Sequence, residues 1–184
     1  MFAKKPAPQP PAAQPKPQSA APAGWPMLAL TLEYGVMGHL ALTEAPLLGF
    51  LNMANQQTVL LTQCQMQALG AQSVAAETMA EAVLPKASIV AFMPRDDAGL
   101  RSANLQLPPQ GQRAVIYAGP FLIRATVRLP GEVSLRNLYN TGAGAMFAVA
   151  EAEIHCQVPG TRFPDLKAGL LMLNKAHVHF YHPA

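Results

Sequence analysis

The chain is poor in charge. Asp, Glu, Lys and Arg make up 12% of its 184 residues, about half the roughly 25% usual for a soluble protein. A surface with so few charges implies that part of it is covered by a partner or by another copy of the chain. Acid is absent from the first 26 residues, where Lys4, Lys5 and Lys16 stand alone. Taking these three from the 13 Lys and Arg leaves ten against ten Asp and Glu. The body is therefore formally neutral and is no basic nucleic-acid surface; only the arm could act as an electrostatic hook. There are two cysteines, Cys64 and Cys156, far apart and without metal spacing. That excludes a disulfide framework and reads as buried thiols in a reducing compartment, hence a cytoplasmic expectation. No run approaches about 18 apolar residues, so no membrane span is expected. Lys4-Lys5 leads into Pro6-Ala7-Pro8 and not into an apolar segment, so no secretory signal is read. P-loop, Gly-x-Ser-x-Gly, Gly-x-Gly-x-x-Gly and Cys-x-x-Cys patterns are missing. These absences point away from an enzyme, and no cofactor is expected.

What the chain does have is proline at one end and repetition throughout. Residues 1–26 hold eight of the 18 prolines, which excludes helix and sheet interior and implies a disordered or polyproline arm. Its candidate docking residues are Lys4, Lys5, Pro10, Pro11, Lys16 and Trp25. Further on, Leu84-Pro85-Lys86-Ala87 opens a segment that closes at Pro94, and Leu173-Asn174-Lys175-Ala176 opens one that closes at Pro183, 89 residues later. Phe50-Leu51-Asn52 and Leu138-Tyr139-Asn140 are 88 apart, as are Val59–Met66 and Phe147–Ile154. Such blocks at nearly one offset mark a duplicated unit. Gly38 and Gly131, 93 apart, imply about five extra residues in the first copy before Asn52.

Alternation of apolar and polar residues predicts strands over 28–34, 39–43, 58–68, 121–128, 133–135 and 147–154, with turns at Gly35 and Gly38 and one helical turn ending at Asn52. Residues 70–79 read as a loop or short helix, with a strand from about Glu81. The Lys86 and Lys175 segments read as strand, tight turn, strand, a closing hairpin in each copy. The expected fold is mainly β: two tandem pseudo-repeats of about five short strands, each a small barrel or sandwich, after the Pro/Ala-rich arm. The divisions are 1–26 for the arm, 27–94 for the first repeat, 95–114 for a linker and 115–184 for the second repeat.

The rhythm of Val83-Leu84-Pro85-Lys86-Ala87-Ser88-Ile89 and Met172-Leu173-Asn174-Lys175-Ala176-His177-Val178 resembles that of Sm-like small barrels. In that family an apolar strand meets a basic turn and returns as a second apolar strand. Gly38 with Asn52, and Gly131 with Asn140, match the glycine and asparagine of the family's other motif, although its acid is missing. The units are also similar to uncharacterised bacterial β proteins with Phe-Leu-Asn and Asn-Lys motifs, a likeness that names no activity. The Sm-like resemblance implies RNA binding or ring assembly.

Three constellations could carry chemistry. His177 and His179 form a His-x-His pair that would aim both imidazoles one way on a strand and could hold a metal. Glu151, Glu153 and His155 would share a strand face, and so form a second metal or proton-transfer candidate. Lys86 and Lys175 at the turns, with Arg124, Arg128 and Arg136, could contact phosphates. The expected function is a non-catalytic structural or interaction protein, a subunit of a larger assembly with protein partners or self-association. A small-barrel RNA binder and a metal-binding protein on the His177 strand are the alternatives, with nucleic acid the less favoured partner.

Overall fold

The computed structural model describes residues 24–41, 46–70, 76–96, 111–128, 136–137 and 144–184. Ten antiparallel strands form one sheet that does not close into a barrel. The strands are β1 (Trp25–Leu30), β2 (Tyr34–Leu40), β3 (Thr58–Ala68), β4 (Glu77–Pro85), β5 (Ala91–Pro94), β6 (Gly111–Ala118), β7 (Phe121–Arg128), β8 (Met146–Cys156), β9 (Leu166–Asn174) and β10 (Val178–Pro183). A single helical turn, α1 (Leu47–Asn52), precedes β3, and 3-10 turns Lys86–Ser88 and Lys175–His177 precede β5 and β10. The order across the sheet is β10-β6-β7-β8-β9-β5-β1-β2-β3-β4.

The mainly β expectation holds, with the ten strands in one continuous sheet that is not closed into a barrel. The strands flanking each 3-10 turn are not hairpin partners: β5 pairs with β1 and β9, and β10 pairs with β6. A 3-10 turn carries the chain over to a different neighbour, whereas a two-residue hairpin turn would fold it back on itself. The body begins at Trp25, because Trp25 and Pro26 pair with Leu40 and His39. Residues 111–114, read as linker, are the start of β6, and β4 starts at Glu77, four residues before Glu81.

Gly35 and Gly38 sit inside β2 and not in a turn. A Cβ on Gly38 would lie 2.9 Å from both Leu61 Cβ and Cys64 Sγ, and one on Gly35 would lie 2.6 Å from the Phe163 ring. These glycines mark close approaches within a strand. The turn falls one step earlier, where the Thr31 hydroxyl donates to Tyr34 O and accepts from the Tyr34 N–H.

Two cores lie on opposite faces of the sheet. Met27 and Ala29 of β1, Phe92 of β5 and Met172 of β9 join Leu47, Phe50, Val59 and Leu61 in one. Leu28, Leu30, Ala91, Met93, Leu171 and Leu173 join Phe121, Ile123 and Ile154 in the other. The central strands β1, β5 and β9 are thus buried on both faces. That is why Ile89–Met93 and Leu170–Leu173 are unbroken apolar runs, not alternating ones.

Besides a register shift between Val178 and Phe180 on β10–β6, two bulges interrupt the ladders, between Met37 and His39 on β2–β3 and between Arg124 and Thr126 on β7–β8. At each of these two, the neighbouring strand carries a non-glycine residue of positive φ, Gln63 at 50° and Glu151 at 53°. A bulge spends one residue without a ladder partner and breaks the strict alternation of faces.

Candidate functional site

The first five strands join the last five through β5 and β9, which share only two register pairs, Ala91 with Leu173 and Phe92 with Met172. Polar side chains reinforce this short seam. Asn174 is 3% exposed. Its Nδ2 donates to Ile89 O at 3.0 Å and to Lys86 O at 3.3 Å, its Oδ1 accepts from Ala176 N–H, and its own N–H donates to Val90 O at 3.0 Å. Asn52 closes a two-bond ring with the Met146 backbone, donating from Nδ2 to O at 3.0 Å and accepting from N–H at Oδ1 at 2.8 Å. Gly144, at φ 96°, lies so close that a Cβ there would meet the Asn52 amide at 2.5 Å. His177 Nε2 lies 2.7 Å from Ala87 O and so links the two 3-10 turns.

Lys86 is buried beside this seam. Its Nζ donates to Phe50 O at 2.7 Å and Met53 O at 3.3 Å, and sits 4.9 Å from the Phe50 ring centroid. Burial pushes its ammonium below the ordinary lysine range. A cleft of about 390 Å³ opens here, lined in part by Asn52, Gln57, Lys86, Gly144 and Asn174. The amides of Asn52 and Asn174 and the Lys86 ammonium are all engaged with backbone groups, so they hold the chain together across the seam.

The outer strands differ from the seam. Among the described residues, no strand pairs with the far edge of β4 or of β10. Val83 on β4 is 62% exposed and Phe180 on β10 is 56% exposed, the highest values among the large apolar side chains described. The Phe180 ring stacks on Tyr117 with centroids 4.1 Å apart. Beside β4 lies an apolar groove of about 360 Å³, lined in part by Leu32, Tyr34, Val36, Met66, Leu84 and Ser88.

The residues singled out from sequence are dispersed. His177 belongs to the 3-10 turn and His179 to β10, so the pair does not share a strand face. Glu151 is turned out of phase by its positive φ; it accepts from Thr126 Oγ1 at 2.9 Å and lies 3.7 Å from Arg128. Glu153 pairs with Lys167 at 3.1 Å, which holds its carboxyl below the usual carboxylate range, and His155 Nδ1 lies 3.0 Å from Asp165. No three His, Cys, Asp or Glu side chains converge among the described residues. Arg124 is exposed on β7, Arg128 is half-buried on the same strand, Arg136 is exposed, and Lys175 lies in its 3-10 turn. Lys86 is buried and committed to the Phe50 and Met53 carbonyls as described, so it is not presented for a phosphate contact. Trp25 is half-buried in β1 and packs against the first core; Lys4, Lys5, Pro10, Pro11 and Lys16 lie outside the described residues. Cys64 is buried, which raises its thiol pKa, and Cys156 is half-buried. No described helix is long and apolar enough to cross a membrane.

Sequence reading missed the edge residues Val83 and Phe180 and the structural role of the asparagines. The match of Phe50-Leu51-Asn52 with Leu138-Tyr139-Asn140 carried a signal for Asn52, whereas Asn174 stands opposite Pro85 in the matched block and had none. No family model, curated protein or solved structure matches the chain.

Proposed function

We propose that the chain is a non-catalytic structural protein, built of two tandem five-stranded units, that works as a subunit of a larger assembly attached through its open sheet edges. The two-unit reading draws support from the strand registers. The first five strands lie in the order β5-β1-β2-β3-β4 and the last five in the order β10-β6-β7-β8-β9. Ala29 pairs with Val36 and Ile116 with Ile123, each 87 residues on. Leu60 pairs with Val83 and Ala148 with Met172, offset by 88 and 89. The two positive-φ bulge residues, Gln63 and Glu151, are 88 apart. In this reading Ala125 is the counterpart of Gly38, at an offset of 87, since Met27 pairs with Gly38 as Ala114 pairs with Ala125, whereas the sequence alone matches Gly38 with Gly131.

The observation that carries the assembly reading is the exposure of Val83 and Phe180 on the two unpaired edges. Exposed apolar side chains on an open edge are a template for another strand. The Pro-rich arm is proposed as a second docking element. The test is native mass spectrometry and light scattering on the full-length chain, with recovery of bound partners from the cells that make it, beside Val83→Lys and Phe180→Lys. A multimer or retained partner that is lost in the substituted chains supports the reading. A monomer that retains no partner and is indifferent to both substitutions refutes it.

A further inference from the structure

We infer that the partner of these edges is a second copy of the chain: β10 of one copy pairs with β4 of the next and repeats between chains the β5–β9 seam found within one. This rests on the two-unit reading above. In that reading β10 is the counterpart of β5, and β4 the counterpart of β9. The offset of 89 holds for both strands, since Ala29 pairs with Phe92 as Ile116 pairs with Tyr181, and Leu60 with Val83 as Ala148 with Met172. The internal pairs Ala91–Leu173 and Phe92–Met172 therefore translate, 89 residues apart, into Phe180 with Leu84 and Tyr181 with Val83.

The four internal residues are all 0% exposed, whereas Val83 and Phe180 are 62% and 56% exposed and Leu84 and Tyr181 half-buried. The open edges thus present, at the matching register, side chains whose counterparts are fully covered. The groove beside β4 fits the same geometry. Ala91 packs in one core with Ile123, Ile154 and Leu173, whose counterparts are Val36, Met66 and Leu84. Those three line the open groove. Phe180, standing where Ala91 stands, brings an aromatic ring to it, and its stacked neighbour Tyr117 is the counterpart of Leu30, another member of the same core.

One difference sets the strength of the two joints. The counterpart of Asn174 is Pro85, which has neither an N–H nor a side-chain amide. The joint between copies lacks the three hydrogen bonds that Asn174 gives to Val90, Lys86 and Ile89, so it is separable where the internal seam is fixed. The contact is head-to-tail, which closes into a ring or runs on as a filament according to the rotation per copy.

Disulfide trapping of the full-length chain tests this, in a Cys156→Ser background that leaves only buried Cys64. Neighbouring antiparallel pairs alternate between narrow and wide spacing, and a disulfide favours the narrow one. Both Val83→Cys with Tyr181→Cys and Leu84→Cys with Phe180→Cys are therefore made, and near-UV circular dichroism confirms their folding. Under mild oxidation at least one double variant should give a ladder of covalent multimers. Each single variant alone should stay monomeric on a denaturing gel, and the matching mixture of singles should stop at dimers. Homodimers from Val83→Cys alone, from Tyr181→Cys alone, or from either alternative single overturn the head-to-tail pairing. If the native chain is multimeric or partner-bound through its edges yet neither double variant joins, this inference fails while the assembly reading stands. A monomer with no joined products and no retained partner removes both.

Discussion

Replacing Asn174 by alanine removes the strongest polar tie across the β5–β9 seam. The magnitude follows from what each lost bond leaves behind. Lys86 O still accepts from Ile89 N–H at 3.2 Å, and Ala176 is exposed, so its N–H finds water. Ile89 is 0% exposed, and its carbonyl is left without the amide that met it. An orphaned buried carbonyl costs about 1–3 kcal/mol, and each exchanged bond about 1 kcal/mol or less. The expected loss is about 3 kcal/mol. It should be read from urea midpoints at unchanged m and fixed protein concentration, since assembly would make the midpoint depend on concentration. Asn174→Asp discriminates, because it keeps the acceptor for Ala176 but turns an oxygen towards two carbonyls. It should be at least as damaging as alanine. A loss under about 0.5 kcal/mol for alanine, or an aspartate variant as stable as the native chain, refutes the assignment of Asn174 as the seam's hydrogen-bond donor.

Two further outcomes follow from close packing and from burial. Gly38→Ala forces a Cβ to 2.9 Å from Leu61 Cβ and Cys64 Sγ and to 3.1 Å from Thr62 O, and should cost about 1–3 kcal/mol. Gly35→Ala meets only the outer atoms of the half-buried Phe163 ring, which can swing, and should cost clearly less; equal losses in thermal unfolding would count against the difference. For Lys86, burial lowers the folded-state pKa below the ordinary value of about 10.4. Between the lowered and ordinary values the unfolded chain holds a proton that the folded chain has released, so stability rises with pH in that window and is indifferent below it. Lys86→Met should flatten this rise in urea midpoints taken between pH 7 and about 10. The opposing fall from the raised Cys64 thiol is common to both proteins and drops out of the comparison. Identical slopes in the two proteins would refute the burial argument.

The sequence made the long strands legible because their pattern is local. Thr58–Ala68 and Phe121–Arg128 were read to the residue, with Gln57 and Pro120 just before them and Gly70 and Pro130 two residues after their ends. α1 ends at Asn52 as expected. What was not legible depends on contacts far along the chain. Gly35 and Gly38 look like turn residues until Phe163 and Cys64 are placed against them. Lys86 and Asn174 look like the polar tips of hairpins, yet they are buried, because the 3-10 turns direct β5 and β10 to other neighbours. His177 and His179 share a face only if the strand begins before His177, and it begins at Val178. Glu151 fell out of row with Glu153 through a bulge that no single-residue preference announces.

An unpaired edge is a hazard as well as an opportunity, and the composition of β4 limits the hazard. Glu77 and Glu81 are exposed on it, and Pro85 ends it. Charge and proline of this kind discourage indiscriminate strand addition. In the register inferred for the joint they fall outside the two pairing residues, Val83 and Leu84. In the two-unit reading proposed above, the counterpart of Glu81 is Leu170, which is buried beside the internal seam, so the apolar strip that is long at β9 is shortened at β4. On β10 the exposed window around Phe180 and Tyr181 is closed in the same way by Pro183. A generic sticky edge would carry its apolar residues along its whole length. Here the exposed large apolar side chains of the two edge strands are Val83 and Phe180, and both fall in the register inferred from the β5–β9 seam, as an edge shaped for one register requires.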